Sequence, residues 1–300
     1  MKVSIVVISK NEPALAETLA SFVPLLDDRL DEVVVVDASG GRLDFVRDRH
    51  DWVKWVHFTP RPGAGVTIPE QRNLGVAEAI GEVIVFTDCG CVPEPGWLPQ
   101  LLAPILAGGE QVTCGRTAPR GRSVYEGTPD GAAYGDGVAA PEYVEECPTI
   151  NVAFRREVFE RVGGFDESFQ YGSDIDFSWR VTGAGNRIRY APEAVVVHDW
   201  GDSRRQTRRA IAYGRARAQL YRKHPDRIVA MIRKDPIVAA YPLFLLGLPL
   251  TLKWRAYPLL LLIPLWRNRR KQPVRVVTDH LWFGVGVLRE LGTAVRGAVA

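Results

Sequence analysis

The chain has 300 residues, of which 46% are hydrophobic and 24% charged, enough apolar content for a sizeable core, so a disordered chain is excluded. The formal net charge of +3 excludes a nucleic-acid binder that works through bulk charge. Four cysteines, at 89, 91, 114 and 147, are too few and too scattered for a disulfide framework. The N-terminal MKVSIVVISKNE lacks a signal-peptide layout, so a cytosolic, reducing context is expected.

Val3–Ile8 is a continuous β-branched run, the pattern of a strand buried on both faces. Glu12–Phe22 carries Leu15, Leu19 and Phe22 at helical spacing. Glu32–Val36 is a second strand ending at Asp37, and Val53–Phe58 a third. Pro69–Ile80 opens with proline at a first helical position and is closed by Gly81. Val83–Phe86 is a fourth strand and Trp97–Leu106 a further helix. This βαβα series predicts an α/β fold, a mostly parallel Rossmann-like sheet with helices on both faces. Ligands of such sheets bind at the carboxyl ends of the strands. Ser9-Lys10-Asn11, Asp37-Ala38-Ser39 and Asp88-Cys89-Gly90 all fall there.

Thr117–Glu146, rich in Gly, Pro and Tyr, reads as a long loop over the site. A short strand follows at Asn151–Phe154, a helix at Arg155–Val162, the turn GGFDE and a helix at Ser173–Thr182. Arg187–Tyr190 and Ala194–His198 are expected as two further strands. From residue 203 the character changes, which divides the chain into 1–202 and 203–300, with a nucleotide-binding half of about 1–116 and an acceptor half of about 117–202. Arg204 to Lys234 holds eleven Lys/Arg and one acid, Asp226, and its arginines are expected to wind around a long helix. Two apolar runs, Ile237–Leu252 and Ala256–Trp266, are separated by Lys253-Trp254-Arg255 and closed by RNRRK. Both fall short of the ~20 apolar residues of a spanning helix. Their prolines and interleaved Trp, Tyr and Arg fit a re-entrant or interfacial hairpin.

The most specific stretch is QRNLGVAEAIGEVIVFTDCG, Gln71–Gly90. It resembles the signature of the family-2 glycosyltransferases: an Arg-Asn pair opening a helix, a glycine, Ala-x-Gly-Glu, then a strand ending in Asp-x-Asp. SIVVISKNE and VVVVDAS resemble the family's first two strands, and NVAFRREVFERVGGFDESF its acceptor-side segment. GSDIDFSWR is similar to its Glu-Asp-x-Asp helix, and VVVH to its late histidine. The matches run in order over roughly residues 1–200. The resemblance implies a GT-A fold and inverting transfer of a sugar from a nucleotide diphosphate donor, a UDP-sugar by preference.

Inverting transfer needs a base for the acceptor hydroxyl, and the resemblance implies Asp174. Ser173 stands where the family usually has Glu. The donor set implied is Ser9, Asn11, Glu12, Asp37, Arg72, Asp88, Cys89 and Gly90, with Asp37 as the base-reading carboxylate. Diphosphate charge is neutralised by arginines, backbone amides or a divalent cation. The resemblance implies Mg²⁺ or Mn²⁺ held by Asp88 and His198, although Gly90 replaces the second carboxylate of Asp-x-Asp. Gly164, Phe165, Asp176 and Trp179 make the acceptor-side set, with packing the alternative for Trp179. Cys-x-Cys is a poor zinc spacing, so the cysteines are expected as bystanders.

The basic and apolar tail also looks like that of bacterial exopolysaccharide-type and cell-envelope members with membrane-bound tails. That implies a glycan or lipid-linked acceptor and peripheral or monotopic attachment at the inner face of the cell membrane, in an otherwise cytoplasmic protein that binds no nucleic acid. The alternative for the tail is a helical subdomain or an oligomer interface. Competing readings are a soluble transferase acting on a small-molecule or natural-product acceptor, a nucleotidyltransferase and a non-catalytic nucleotide-sugar-binding scaffold. SKNEPAL lacks the Gly-rich loop of the nucleotidyltransferases, and the intact Asp174 speaks against the scaffold.

Overall fold

Valine-rich runs that read as doubly buried strands form the centre of the sheet. The computed structural model describes residues 1–26, 30–65, 67–120, 141–199, 203–270 and 272–299, with backbone alone at 203–206 and 294–299. It divides into two units, Met1–Trp200 and Gly201–Ala300.

In the first unit, β1 (Val3–Ser9) leads to α1 (Leu15–Phe22), β2 (Glu32–Asp37), the short α2 (Asp44–Arg47) and β3 (Lys54–His57). Then come α3 (Ile68–Glu78), β4 (Val83–Asp88), β5 (Cys91–Pro93), α4 (Trp97–Leu106) and β6 (Val112–Pro119). The unit closes with β7 (Tyr143–Val144), β8 (Asn151–Arg155), α5 (Arg156–Val162), α6 (Ser173–Gly183) and β9 (Ile188–His198). Much of the expected loop Thr117–Glu146 lies outside the described residues.

The sheet order is β3-β2-β1-β4-β8-β6-β9-β5, with β7 on β9. Strands β3, β2, β1 and β4 are parallel, whereas β8 runs antiparallel to both β4 and β6. Period-2 alternation separates two cores. Ile5, Val7, Val35 and Val85 face α1 and α4 through Leu19, Phe22, Trp97 and Leu101. Val6, Val34, Val36 and Ile84 face the other way, toward α3, α5 and α6, where Val76, Phe159 and Phe177 pack. Burying each such side chain contributes about 1.5–3 kcal/mol, so the strand centre is the stable platform beneath the strand ends. A side chain at Gly75 of α3 would collide with Val6, which sets how closely α3 lies on β1.

Two expectations are corrected here. Arg187–Tyr190 and Ala194–His198 belong to one strand, β9, which stays paired with β6 through a register shift at Gly115/Arg116. Asn151 fills that irregularity: its Nδ2 donates to Arg116 O and Ala194 O, both at 2.8 Å, and its Oδ1 accepts from Trp97 Nε1. Second, the cysteines do not all stay single. Cys114 and Cys147 are paired as a disulfide, 33 residues apart in sequence but with Cα atoms 5.8 Å apart, within bridging range. In a reducing compartment the pair would stand as two thiols.

The second unit is helical: α7 (Ser203–Lys223), α8 (Ile228–Lys234), α9 (Ile237–Leu246), α10 (Leu262–Arg267) and α11 (Pro273–Val299), with 3-10 turns at Leu248–Leu252 and Tyr257–Leu261. Gly214 of α7 and Gly286 of α11 let these helices touch, because a side chain at either would strike the other helix's carbonyls at Phe283 or Ile211. Among the described residues no helix is long and apolar enough to cross a membrane.

Candidate active site

The carboxyl end of β4 places Asp88 half-buried beside Ile8 of β1. The chain then turns back into β5 through Gly90, whose φ is +84°. A Cβ there would meet Ala14 Cβ at 3.6 Å, so space is not limiting; the left-handed backbone is. Gly90 N–H donates to Thr18 Oγ1 at 2.9 Å, which holds the turn in place. The second carboxylate of Asp-x-Asp is therefore replaced by a residue that shapes backbone.

Arg72 projects from α3 into this region and is 6% exposed. Its Nη2 lies 3.9 Å from Asp88 Oδ1, its Nη1 donates to Ser173 Oγ at 3.4 Å, and its Cζ sits 5.5 Å from the Phe165 ring centroid. Its buried Nε has no hydrogen-bond partner among the described residues. A guanidinium facing one carboxylate at long range, with Ser173 in place of a second acid, retains positive charge for an anion. Arg156 fixes the C-terminal end of the same helix by donating to Gly81 O, Val76 O and Ala79 O at 2.7–2.9 Å.

Asp174 is the second residue of α6, which starts after Gly172 at φ +80°. Its Oδ1 accepts from Ile175 N–H at 2.9 Å, and the residue is half-buried, so the carboxylate is held but reachable. Ser178, one turn on, donates to Asp174 O and accepts from Cys147 N–H.

The acceptor-side residues fall into two groups. Asp176 is 0% exposed and is gripped by Arg180, whose Nε and Nη2 lie 2.9 and 2.8 Å from Asp176 Oδ2. Arg180 also donates to Val162 O and Gly164 O. Asp176 thus acts on the GGF turn through Arg180. Trp179 is 1% exposed in the interior. Gly164 takes φ +68°, and Asn73 clamps Phe165 from both sides, donating to its carbonyl and accepting its N–H, each at 2.9 Å. Phe165 itself packs among Phe86, Phe159 and Phe177.

At the ends of β1 and β2 a short relay forms. Asn11, in the left-handed region at φ 57°, donates its N–H to Ser39 Oγ at 2.7 Å and accepts from Arg42 at 2.9 Å. Ser39 donates through its hydroxyl and its N–H to Asp37 Oδ1. Asp37 Oδ2 is buried and has no hydrogen-bond partner among the described residues. Ser9 is buried, and Glu12 is half-buried with its carbonyl accepting from Leu15 N–H.

Cys89 and Cys91 are poor ligands and nucleophiles here. Burial pushes the Cys89 thiol well up, and the Ser9 hydroxyl only partly offsets it. Burial, then the charge of Asp88, pushes Cys91 up to about 12. His198 ends β9 opposite Cys91, buried, with its carbonyl accepting from Arg120 N–H at 2.8 Å. Arg120 in turn makes two hydrogen bonds to Glu17 of α1. Among the described residues no three His, Cys, Asp or Glu side chains gather as a metal-ligand group. Asp88 and His198 offer two donors between them. Two protein donors serve a cation such as Mg²⁺ only where diphosphate oxygens and waters supply the rest of its coordination.

Sequence reasoning placed Ser39 in a strand-end cluster without a role and missed the roles of Asn151, Arg156 and Ser178. Each is a polar residue whose role depends on a partner remote in sequence or on a local turn; the nearest signal was their place at the ends of apolar runs.

A mixed sheet with a parallel β3-β2-β1-β4 half, a carboxylate at the end of β4 and a second at the start of α6 is the GT-A fold of glycosyltransferases. The chain matches the model for glycosyl transferase family 2 over residues 4–163, more than half its length, and it belongs to that family. A second model, glycosyl transferase family group 2, matches residues 140–286. The chain is similar to the pre-mycofactocin glycosyltransferase of Mycobacterium tuberculosis, with 32% identity over 192 residues, 59% of this chain and 39% of that protein. It is also similar to the O-antigen biosynthesis protein RfbC of Myxococcus xanthus, with 28% identity over 68% of this chain and 18% of that protein. This chain therefore aligns with well under half the length of either relative. Among solved structures, a mannosyltransferase from Pyrobaculum calidifontis in complex with GDP-Man and Mn²⁺ superposes with a TM-score of 0.70 at 19% identity, over 97% of this chain and 87% of that one. GalNAc-T7 with UDP, GalNAc and Mn²⁺ superposes with a TM-score of 0.53 at 20% identity, over 67% of this chain and 44% of that one.

Proposed function

We propose that this chain transfers a sugar, with inversion, from a nucleotide diphosphate donor to an acceptor hydroxyl. The observation that carries this is the meeting at Arg72: Asp88 from β4, and Ser173 beside Asp174 from α6, converge on one buried guanidinium. Asp174 accepts the acceptor's proton as its oxygen attacks the anomeric carbon. The new C–O bond forms as the anomeric carbon–phosphate oxygen bond breaks, and the electron pair leaves with the diphosphate. Arg72 holds the leaving group's charge in a site where it is screened little by water. A divalent cation, Mg²⁺ or Mn²⁺, would add further charge neutralisation on the diphosphate when bound, with Asp88 and His198 as its protein ligands. Two structures of the same fold, one with GDP-Man and Mn²⁺ and one with UDP, GalNAc and Mn²⁺, support a divalent cation in this role.

For the donor we favour a UDP-sugar, with Asp37, Ser9 and the Asn11–Ser39 relay shaping the base pocket. The unpartnered Asp37 Oδ2 supports a ligand contact there. Gly164 and Phe165 border the acceptor. We place the acceptor on a glycan, carried by a lipid at the inner membrane face; the O-antigen relative and the apolar second unit support this.

The test scans UDP- and GDP-sugars for binding and turnover with Mn²⁺, with Mg²⁺ and with EDTA. One donor is expected to bind and turn over. Asp174→Asn is expected to lower kcat by about 10²–10⁴-fold while donor affinity holds. Unchanged kcat in that variant would remove Asp174 as the base. Binding without turnover in the native chain would favour the scaffold reading.

A further inference from the structure

The second unit carries an apolar surface that its own fold leaves uncovered. Leu243, Leu246, Leu252, Trp254, Ile263 and Trp266 are all more than half exposed, Leu252 reaching 88%. All six lie between α9 and the end of α10. A patch of this kind on an otherwise water-facing protein marks a contact site.

These side chains are displayed on a fixed scaffold. Tyr257 is buried, stacks on Phe244 with ring centroids 5.2 Å apart, and donates to Phe244 O at 2.9 Å. Gly247 makes room for it: any Cβ there would strike the Tyr257 hydroxyl. The two apolar runs are thereby pinned back to back as a hairpin, and their leucines point outward because the inner side is already filled. Tyr241 and Gly284 seat the same hairpin on α11.

Charge selects the occupant. No acidic residue occurs between Asp235 and Asp279. Lys253 and Arg255 interrupt the patch, and Arg267, Arg269 and Arg270 close it. The Arg269 guanidinium lies 4.4 Å from the Trp266 ring, an aromatic and a cation side by side at the patch edge. A second copy would bring the same cations against these. An anionic lipid surface supplies both the apolar layer and the counter-charge. Depth follows from length: α9 has ten residues, about 15 Å of helix, against a hydrocarbon core of about 30 Å. Pro242, Pro249, Pro258 and Pro264 break the run further.

We infer that residues 237–270 form a preassembled wedge that enters one leaflet of an anionic bilayer, with Lys253, Arg255 and the Arg267–Arg270 cluster at the headgroups. This deepens the membrane reading given above and stands apart from the transfer chemistry.

The test is flotation of the full chain with vesicles of phosphatidylcholine alone and of phosphatidylcholine mixed with phosphatidylglycerol, at low and high salt. Uptake is expected on the mixed vesicles, weaker on the neutral ones and weaker in high salt. The variant Leu246→Glu/Leu252→Glu/Ile263→Glu should lose at least about tenfold in partitioning, with an unchanged circular dichroism melt because these side chains are exposed. Lys253→Glu/Arg255→Glu should lose the preference for anionic vesicles. A chain that stays with the solvent in every mixture overturns the inference. So does equal uptake by both vesicle types, or a detergent-free dimer that the triple variant splits and that no vesicle takes up. The native chain separates this from the catalytic reading: turnover without vesicle uptake sinks the wedge alone, and uptake without turnover of any donor sinks the transferase alone.

Discussion

The two units treat apolar surface in opposite ways. Among the described residues, Met1–Trp200 exposes four large hydrophobic side chains, Met1, Val23, Phe45 and Ile80, whereas the half-sized Gly201–Ala300 exposes sixteen. The first unit's leucines and valines are consumed by two cores on either side of a sheet. The second has the same residue types but, among the described residues, only helices, with α11 lying against α7 at a glycine-lined contact and against α9. Composition alone does not decide burial; the presence of a complementary face does. Buried polar residues occur in both units, Asp279 accepting from Thr207 in the second. In the first unit they are buried with designated partners, such as Asp176 on Arg180 and Asn151 on two carbonyls, and they aim a site.

Truncation sharpens the contrast most. Phe154→Ala removes a fully buried ring stacked on Phe159 and should cost about 3–5 kcal/mol in denaturant unfolding. Leu252→Ala in the second unit should stay within about 0.5 kcal/mol, since it removes an exposed side chain. A comparable loss at both positions would mean that Leu252 is covered in solution.

Next in size is Arg180→Met, which strands the buried Asp176 carboxylate and should destabilise the first unit by about 3 kcal/mol. Because Arg180 also holds Val162 O and Gly164 O, the acceptor KM should rise while donor affinity holds. A stability loss with unchanged KM would make Asp176 and Arg180 purely structural.

A third contrast is an alkaline pH dependence, to which the first unit contributes through its buried thiols and the second through buried Tyr241. Burial raises Cys91 from 9.0 to about 12, so the unfolded chain releases this proton before the folded one does. The stabilisation from keeping the thiol protonated is fully present below pH 9 and is lost as pH rises from 9 toward 12. Cys91→Ala should flatten that alkaline decline in a melt series; an unchanged slope would place its origin elsewhere.

Much of this was legible in the residues. Valine runs gave the strands because doubly buried parallel strands need no alternation, and Pro69 and Gly81 bracketed α3. Asp88, Arg72 and Ser173 were each singled out from motifs at strand and helix ends, but their meeting shows only in three dimensions. What stayed hidden depended on three-dimensional partners. Ala191-Pro192-Glu193 looked like a break between strands, yet β9 runs through it because β6 shifts register and Asn151 satisfies the carbonyls this frees. Asp176 sat in a motif and looked functional; its full burial against Arg180 was not visible in that motif. Gly90 looked like a lost ligand, and its positive φ explains why a glycine stands there.

The bond between Cys114 and Cys147 has a practical consequence at the bench. It encloses residues 115–146, so a protease nick anywhere in that interval leaves two fragments that remain covalently joined. On a denaturing gel they would migrate as one band without reductant and as two with it. The ratio of those bands, taken from protein prepared inside and outside a reducing environment, reports directly which thiol state the chain carries where it works.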